Sequence, residues 1–375
     1  MSMIIRVRYF LFVLGVLGFL IEAYAGENED VFENQTIAVS PSSELLAINW
    51  LDSIAIFNLE DGRRLHQFDA GTEDPFAFKF SFDGSKLLSS GWEKVSIWDT
   101  ETGKLLAQKD VNDNAKCAGF SSDAQISYFD DEYNQFGHKQ LVVTGNNFAD
   151  EKLLVKDTGN CHESADNSLL AIESYTMAAD GFSLDDTAIL IVDLEKAQKK
   201  MLLRTEKAKP YDEDMFFFDE NRKLLVRDFS TFHIWDLEKN IVIRSWDSEM
   251  DVEEIAVSGN QLLITADKQK RSWNLLAEPG PIQNIALPDN QHSVLSVSLS
   301  NNGKWYAVTS YDDSEQNAWV SLFDSDTNEL LRQIATEPLI YGAQFTGDDT
   351  LLVFESYPVK VVDVATGKVV FEIKQ

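Results

Sequence analysis

The side chains best suited to chemistry in this chain are few and widely spread. Its five histidines, His66, His138, His162, His233 and His292, include no pair at the short spacing that zinc sites use. Cys161 and His162 are the residue types of a thiol nucleophile and its base. Adjacent residues of a strand point to opposite faces, however, so this pair is read as structural. Asp324 to Glu329, DSDTNE, begins like the Asp-x-Asp-x-Asn of a calcium loop. It has Glu329 where that loop needs glycine and Ala335 where it needs a bidentate glutamate, so a hairpin turn is expected instead. No catalytic, cofactor-binding or metal-binding residue is assigned. Calcium stays a candidate only for the other acidic loops, because it tolerates irregular oxygen cages.

The elements that would position any site come from a repeat. A Ser/Thr-type residue followed by an apolar pair recurs at Ser40, Ser81, Ser121, Ser164, Asp219, Ser258, Ser300 and Thr346. The spacing is in the low forties, the period of a propeller blade. Short polar side chains at these points bond local backbone and suit the hairpin between strands A and B. A third apolar, β-branched run then ends in Asp or Asn, four residues before Gly62, Gly103, Asn240, Asn328 and Gly367. Glycine and asparagine enter the left-handed region most cheaply, so one turn-plus-bulge between strands C and D is expected in each. Both turn series predict an all-β fold, a β-propeller of eight four-stranded antiparallel blades beginning near residues 34, 74, 114, 159, 213, 252, 293 and 338. Seven blades is the alternative count. Cys117 and Cys161 fall on the first strands of blades three and four and are placed to form a disulfide if oxidised.

Trp98-Asp99 and Trp235-Asp236 close strand C as in WD40 repeats, and Phe57-Asn58, Val192-Asp193, Trp273-Asn274, Phe323-Asp324 and Val362-Asp363 are degenerate versions. On these residues residues 26–375 resemble the bacterial exported WD40-like and quinoprotein-like propellers. The Gly-His pair of WD40 repeats is missing, so that family's buried Asp-His-Ser/Thr-Trp network is not carried over. Asp-x-x-Thr-Gly-Lys at Asp99 to Lys104 and Asp363 to Lys368 is similar to repeats of the pyrroloquinoline-quinone dehydrogenases. The vicinal cysteine pair that those enzymes carry beside the cofactor has no counterpart here.

Arg6 and Arg8 precede an apolar run, Tyr9 to Ile21, and then Ala23-Tyr24-Ala25. This order reads as a secretory signal peptide, residues 1–25, cut before Gly26, with a periplasmic or secreted location implied. A retained anchor is the alternative, although the run is short for a membrane span. A net charge of −30 argues against nucleic acid and favours a basic partner.

The reading is therefore a noncatalytic, monomeric scaffold that binds a protein outside the cytoplasm. The alternative is a propeller enzyme using a cation or small cofactor, of calcium or quinone type, at the channel mouth. Long B to C and D to A connections place the binding loops on one face. Their residues are Asp130, Asp131, Glu132, Tyr133 and Phe136 in blade three, and Asp180, Phe182, Asp185 and Asp186 in blade four. Tyr211 and Asp212 follow in the blade four to five link, then Tyr311, Asp312 and Asp313 in blade seven. A second aromatic set ending strand B, Trp50, Trp92, Phe229 and Tyr357, is read as packing between blades.

Overall fold

Two kinds of hairpin, each built from its own side chains, shape most of the blades. At Ser40, Ser81, Ser164, Ser300 and Thr346 the backbone N–H donates to the carbonyl five residues on. The hydroxyl accepts the N–H of that same residue, at 2.9, 2.9, 2.9, 3.0 and 3.1 Å respectively. The third residue after each hydroxyl, Ser43, Gly84, Asn167, Gly303 or Asp349, is left-handed. In the C to D turns Asp99, Asp324 and Asp363 accept the N–H three residues on, each at 2.7 Å. The fourth residue after the acid is again left-handed, and the ladder slips by one residue beside it. All five expected positions, Gly62, Gly103, Asn240, Asn328 and Gly367, take this form, and Ala197 makes a sixth.

These turns string together 31 strands in a computed structural model that describes residues 36–374 apart from 51–52, 70–76, 92–93, 112–117, 123, 132–138, 178–183, 205–214, 229, 267–268, 279–280, 286, 288–292, 313–316 and 338–339. Blade one is β1 to β4 (Ile37–Val39, Leu45–Trp50, Ser53–Asn58, Arg64–Asp69) and blade two is β5 to β8 (Ala77–Phe80, Lys86–Ser90, Lys94–Asp99, Leu105–Asp110). Blade three is β9 (Gly119–Ser122), β10 (Gln125–Asp131), β11 (Lys139–Gly145) and the first half of β12 (Lys152–Glu163). The second half of β12 opens blade four, with β13 (Leu169–Met177), β14 (Leu184–Asp193) and β15 (Gln198–Leu203). Blade five is β16 to β19 (Met215–Phe218, Lys223–Asp228, Thr231–Asp236, Ile241–Asp247), and blade six is β20 to β23 (Glu254–Ser258, Gln261–Ala266, Gln269–Asn274, Ile282–Asn284). Blade seven is β24 to β27 (Ser293–Leu299, Trp305–Tyr311, Ala318–Asp324, Leu330–Thr336), and blade eight is β28 to β31 (Ile340–Phe345, Leu351–Ser356, Val359–Asp363, Val369–Ile373).

Each blade pairs its strands in order, antiparallel, and no helix occurs among the described residues. The first strands of successive blades approach one another and form the inner wall. The middle strands are apolar on both faces because both faces are covered. Ile54 and Ile56 pack toward blade two, while Ala55 and Phe57, alternating with them, pack toward blade eight. Eight buried clusters result, one between each neighbouring pair of blades. The cluster joining Leu46, Ile48 and Phe57 to Val353, Val361 and Ile373 closes blade eight on blade one. A closed circuit of eight interfaces fixes the count at eight blades and excludes seven.

One arrangement was not anticipated and one expectation is corrected. Blades three and four are joined through a single strand: β12 pairs with β11 through Lys152 to Thr158 and with β13 through Thr158 to Glu163. One strand thus serves both blades, and their strands form a continuous seven-stranded sheet. In addition Asp130, Asp131, Asp185 and Asp186 lie in strands rather than loops. Asp130 pairs with Gln140, Asp131 with Lys139 and Asp186 with Thr176, because the B to C hairpins zip further than their polar composition suggests.

Candidate functional site

The two ends of the ring are built differently. On the end that carries the A to B and C to D turns, neighbouring blades are tied together twice. Near the axis the A to B turns touch in series: Asn260 Oδ1 accepts the Asp219 N–H at 2.8 Å, the Ser258 hydroxyl donates to the Asn301 carbonyl at 3.2 Å, and Asp349 accepts the Asn301 and Asn302 N–H groups at 2.6 and 2.9 Å. At the rim, residues from the outer strand of one blade clasp the C to D turn of the next. His66 packs on Gly103, Phe371 on Gly62, and Arg332 Nη2 donates to the Ala365 carbonyl at 3.0 Å. Lys109 pairs with Glu151 at 2.7 Å, and Asn328 Nδ2 donates to the Asn284 carbonyl at 2.8 Å.

Several carboxylates of this end are committed to their own turns. Hydrogen bonds from Ser81 and from the Ser85 N–H and hydroxyl pull Asp83 down to about 2. Bonds from the Thr102 hydroxyl and N–H hold Asp99 below the usual carboxylate range, and Thr366 does the same for Asp363. Asp193 and Asp236 are paired with Lys196 and Lys239 at 2.7 and 2.8 Å.

The opposite end varies from blade to blade. In blades one, five and six the last B to C pair joins residues three apart in sequence, Trp50 with Ser53, Asp228 with Thr231 and Ala266 with Gln269. In blade four the ladder runs on through Tyr175 with Thr187 and Thr176 with Asp186 to Met177 with Leu184. It therefore stands three residues, about 10 Å, above its neighbour in blade five. Blade three zips to Asp131 with Lys139, and blade seven to Tyr311 with Ala318. Around an eight-membered ring blade seven stands opposite blade three, so the longer hairpins lie on opposite sides of the ring.

Of the residues expected to bind a partner, Asp130, Asp131, Asp185 and Asp186 lie on these raised strands. Asp312 sits at the blade-seven tip, where Asn317 Nδ2 donates to it at 2.5 Å and their backbones pair at 3.1 Å. Tyr311 is turned into the body: its hydroxyl donates to the Ile340 carbonyl of blade eight at 2.5 Å. Glu132, Tyr133, Phe136, Asp180, Phe182, Tyr211, Asp212 and Asp313 lie outside the described residues, as do Trp92 and Phe229.

The remaining candidates for chemistry are also placed. Cys161 is disulfide-bonded, and the only other cysteine of the chain, Cys117, lies outside the described residues. His162 turns the other way and meets the Phe216 ring edge-on, centroids 4.9 Å apart. Burial, with Lys79 nearby, pushes its imidazole down to about 4. Asp324 forms a C to D hairpin with Thr327 and Glu329. Among the described residues no three His, Cys, Asp or Glu side chains come together.

Sequence reasoning missed one ion pair on the inner wall. Lys79 of β5 reaches Glu163 of β12 across the inner strand of blade three, and a Cβ at Gly119 would lie 2.6 Å from Glu163 Oε1. The three residues are far apart in sequence, and only the strand parity of Lys79, Gly119 and Glu163 carries a signal for it.

The chain matches no protein-family model and no curated protein.

Proposed function

We propose that this chain is a noncatalytic scaffold of the WD40-like kind that binds a basic protein outside the cytoplasm through the end carrying the raised hairpins. The asymmetry of the two ends carries the reading. At one end the turns of successive blades touch one another, and Asp83, Asp99 and Asp363 there are held by their own turns. The other end raises Asp130, Asp131, Asp185 and Asp186 on longer hairpins, and segments standing out from a rigid frame are where recognition is usually placed. The net charge of −30 favours a basic partner and suits fast encounter more than tight holding. The WD40-like assignment gains support from Trp98, whose Nε1 donates to Ser89 Oγ at 2.9 Å, one leg of the buried network of those repeats. Arg6, Arg8 and the apolar run to Ile21 support export, with Gly26 as the first residue of the mature chain.

Association kinetics test the reading. With a captured partner, neutralising Asp130, Asp131, Asp185 and Asp186 to the amides should slow association and flatten its salt dependence, and Tyr133→Ala or Phe182→Ala should speed dissociation. An association rate indifferent to salt and to these acids would refute it. So would a partner that docks on the opposite end and is lost on Asp99→Asn. Amino-terminal sequencing of the exported chain should begin at Gly26.

A further inference from the structure

Four residues before the end of strand C, every blade presents a buried side chain to the blade that follows. In seven blades it is apolar: Ile54, Val95, Leu141, Ile189, Phe232, Val320 and Val359, each belonging to the cluster shared with the next blade. In blade six it is Lys270, fully buried. Among the described residues its ammonium has no hydrogen-bond partner, and it rests 4.3 Å above the Tyr306 ring of blade seven. A cation over an aromatic face recovers only part of what a desolvated ammonium loses.

Two further observations mark the same interface. Among the described residues its buried apolar set, Leu263, Ile285, Tyr306, Val308 and Phe323, is the smallest of the eight. The buried hydroxyls of Thr265, the cross-strand partner of Lys270, and of Ser321 have no hydrogen-bond partner among the described residues, a condition shared by Ser90 and Thr144 between blades two and three. Blade six, moreover, has an outer strand of three residues, Ile282–Asn284.

We propose that the interface between blades six and seven is the seam at which the ring opens locally, and that the charge on Lys270 controls the opening. The groups facing Lys270 are few. From blade seven these are Tyr306, whose hydroxyl is held by Asn328, and the turn acids Asp324 and Asp326. On its own blade Gln283 is its neighbour on β23, and Glu254 is the register partner of Thr265 on β20. Burial draws the Lys270 amine down to about 8, against the smaller opposite pull of Asp324 and Asp326. A solvated lysine holds its proton to about 10.4. The open seam therefore binds the proton more tightly than the closed one. Opening is favoured below about pH 8 and is progressively suppressed as pH rises from there toward 10.4.

Hydrogen–deuterium exchange of the intact protein tests this. At pH 7, peptides covering Leu262–Trp273 and Tyr306–Phe323 should exchange faster than those covering Leu46–Phe57. Lys270→Met, close to lysine in volume, should slow the first two by about a hundredfold, the size implied by the difference in proton affinity, and leave the third unchanged. Wild-type protein gives the second measurement: between pH 7 and pH 9.5, after normalising to an unstructured reference peptide, exchange at the seam should fall while that of Leu46–Phe57 holds. Exchange at the seam no faster than elsewhere would overturn the proposal. It would also fall if all blades slowed uniformly in Lys270→Met, or if the seam peptides tracked the reference across pH.

Discussion

The indole of Trp98 offers a direct measure of what one buried hydrogen bond contributes to a blade. Trp98 is almost fully buried, stacks on Phe68 with ring centroids 4.4 Å apart, and donates through Nε1 to Ser89 Oγ at 2.9 Å. Ser89 stands two residues beyond the register partner of Trp98 on the neighbouring strand. The same position in blades five and six is Val226 and Ile264, and there the indole N–H groups of Trp235 and Trp273 have no acceptor among the described residues. Ser89→Ala removes a small side chain but leaves a buried donor unsatisfied, which costs about 1–3 kcal/mol. For a ring of this length that corresponds to a fall in Tm of roughly 1.5–4 °C. Trp98→Phe removes the donor, so adding Ser89→Ala to it should cost almost nothing, giving a coupling energy of about 1–2 kcal/mol by calorimetry or urea unfolding. Blade five is the internal control. Trp235→Phe deletes an N–H that bonds nothing and should destabilise less than Trp98→Phe by about the same amount. A coupling below about 0.3 kcal/mol, or equal losses in Trp98→Phe and Trp235→Phe, would refute the reasoning.

Other perturbations have equally definite outcomes. Gly62 is left-handed at φ 71°, and a Cβ there would lie 2.6 Å from Phe371; Gly84, at φ 70°, has open space around it. Gly84→Ala should cost about 1 kcal/mol and Gly62→Ala more, with Phe371→Leu recovering part of the difference, all read from urea midpoints. The disulfide at Cys161 should appear in nonreducing peptide mapping as a link to Cys117, and Cys161→Ser should cost about 2–4 kcal/mol of stability. Asp83, Asp99 and Asp363 have folded pKa values below their unfolded ones, so their contribution is complete above about pH 4 and is lost as pH falls through the folded values, about 2 for Asp83. Tm should drop across that window, and less steeply in Asp83→Asn, the effect being muted by the exposure of these turns.

The blade count was legible because its signals are local. A hydroxyl that closes its own turn and a residue that tolerates positive φ each act within five residues, so Ser40, Thr346, Gly62 and Asn328 can be read without knowing their neighbours. Ala197 escaped because alanine carries no compositional mark of a left-handed residue. The continuous β12 was hidden for a related reason: Lys152 to Glu163 has polar residues and Gly159 where a connection is expected, and only pairing on both sides makes it one strand. Asp185 and Asp186 were assigned to a loop from composition, whereas pairing of Asp186 and Leu184 with β13 keeps both within a strand, Asp185 at its bulge. The clasps of His66 on Gly103 and Arg332 on the Ala365 carbonyl, and the lysine at position 270, belong to contacts between blades. No local pattern foretells such contacts, because the partner lies a whole repeat away.

Ring closure by side chains alone has a consequence for the making of the protein. Among the described residues blades one and eight share no strand, and what joins them is the packing of Leu46, Ile48, Ala55 and Phe57 against Val353, Val359, Val361 and Ile373. Roughly 300 residues separate the two halves of that contact, so a ribosome adding about 5–20 residues per second leaves the apolar face of blade one bare for roughly 15–60 s. During that interval the nascent chain is an arc with one finished, greasy end, and the complementary end belongs equally well to a neighbouring copy. A chain interrupted before blade eight keeps that end for good. The last strands made, rather than the first, decide whether the product is a closed ring or a link in an aggregate.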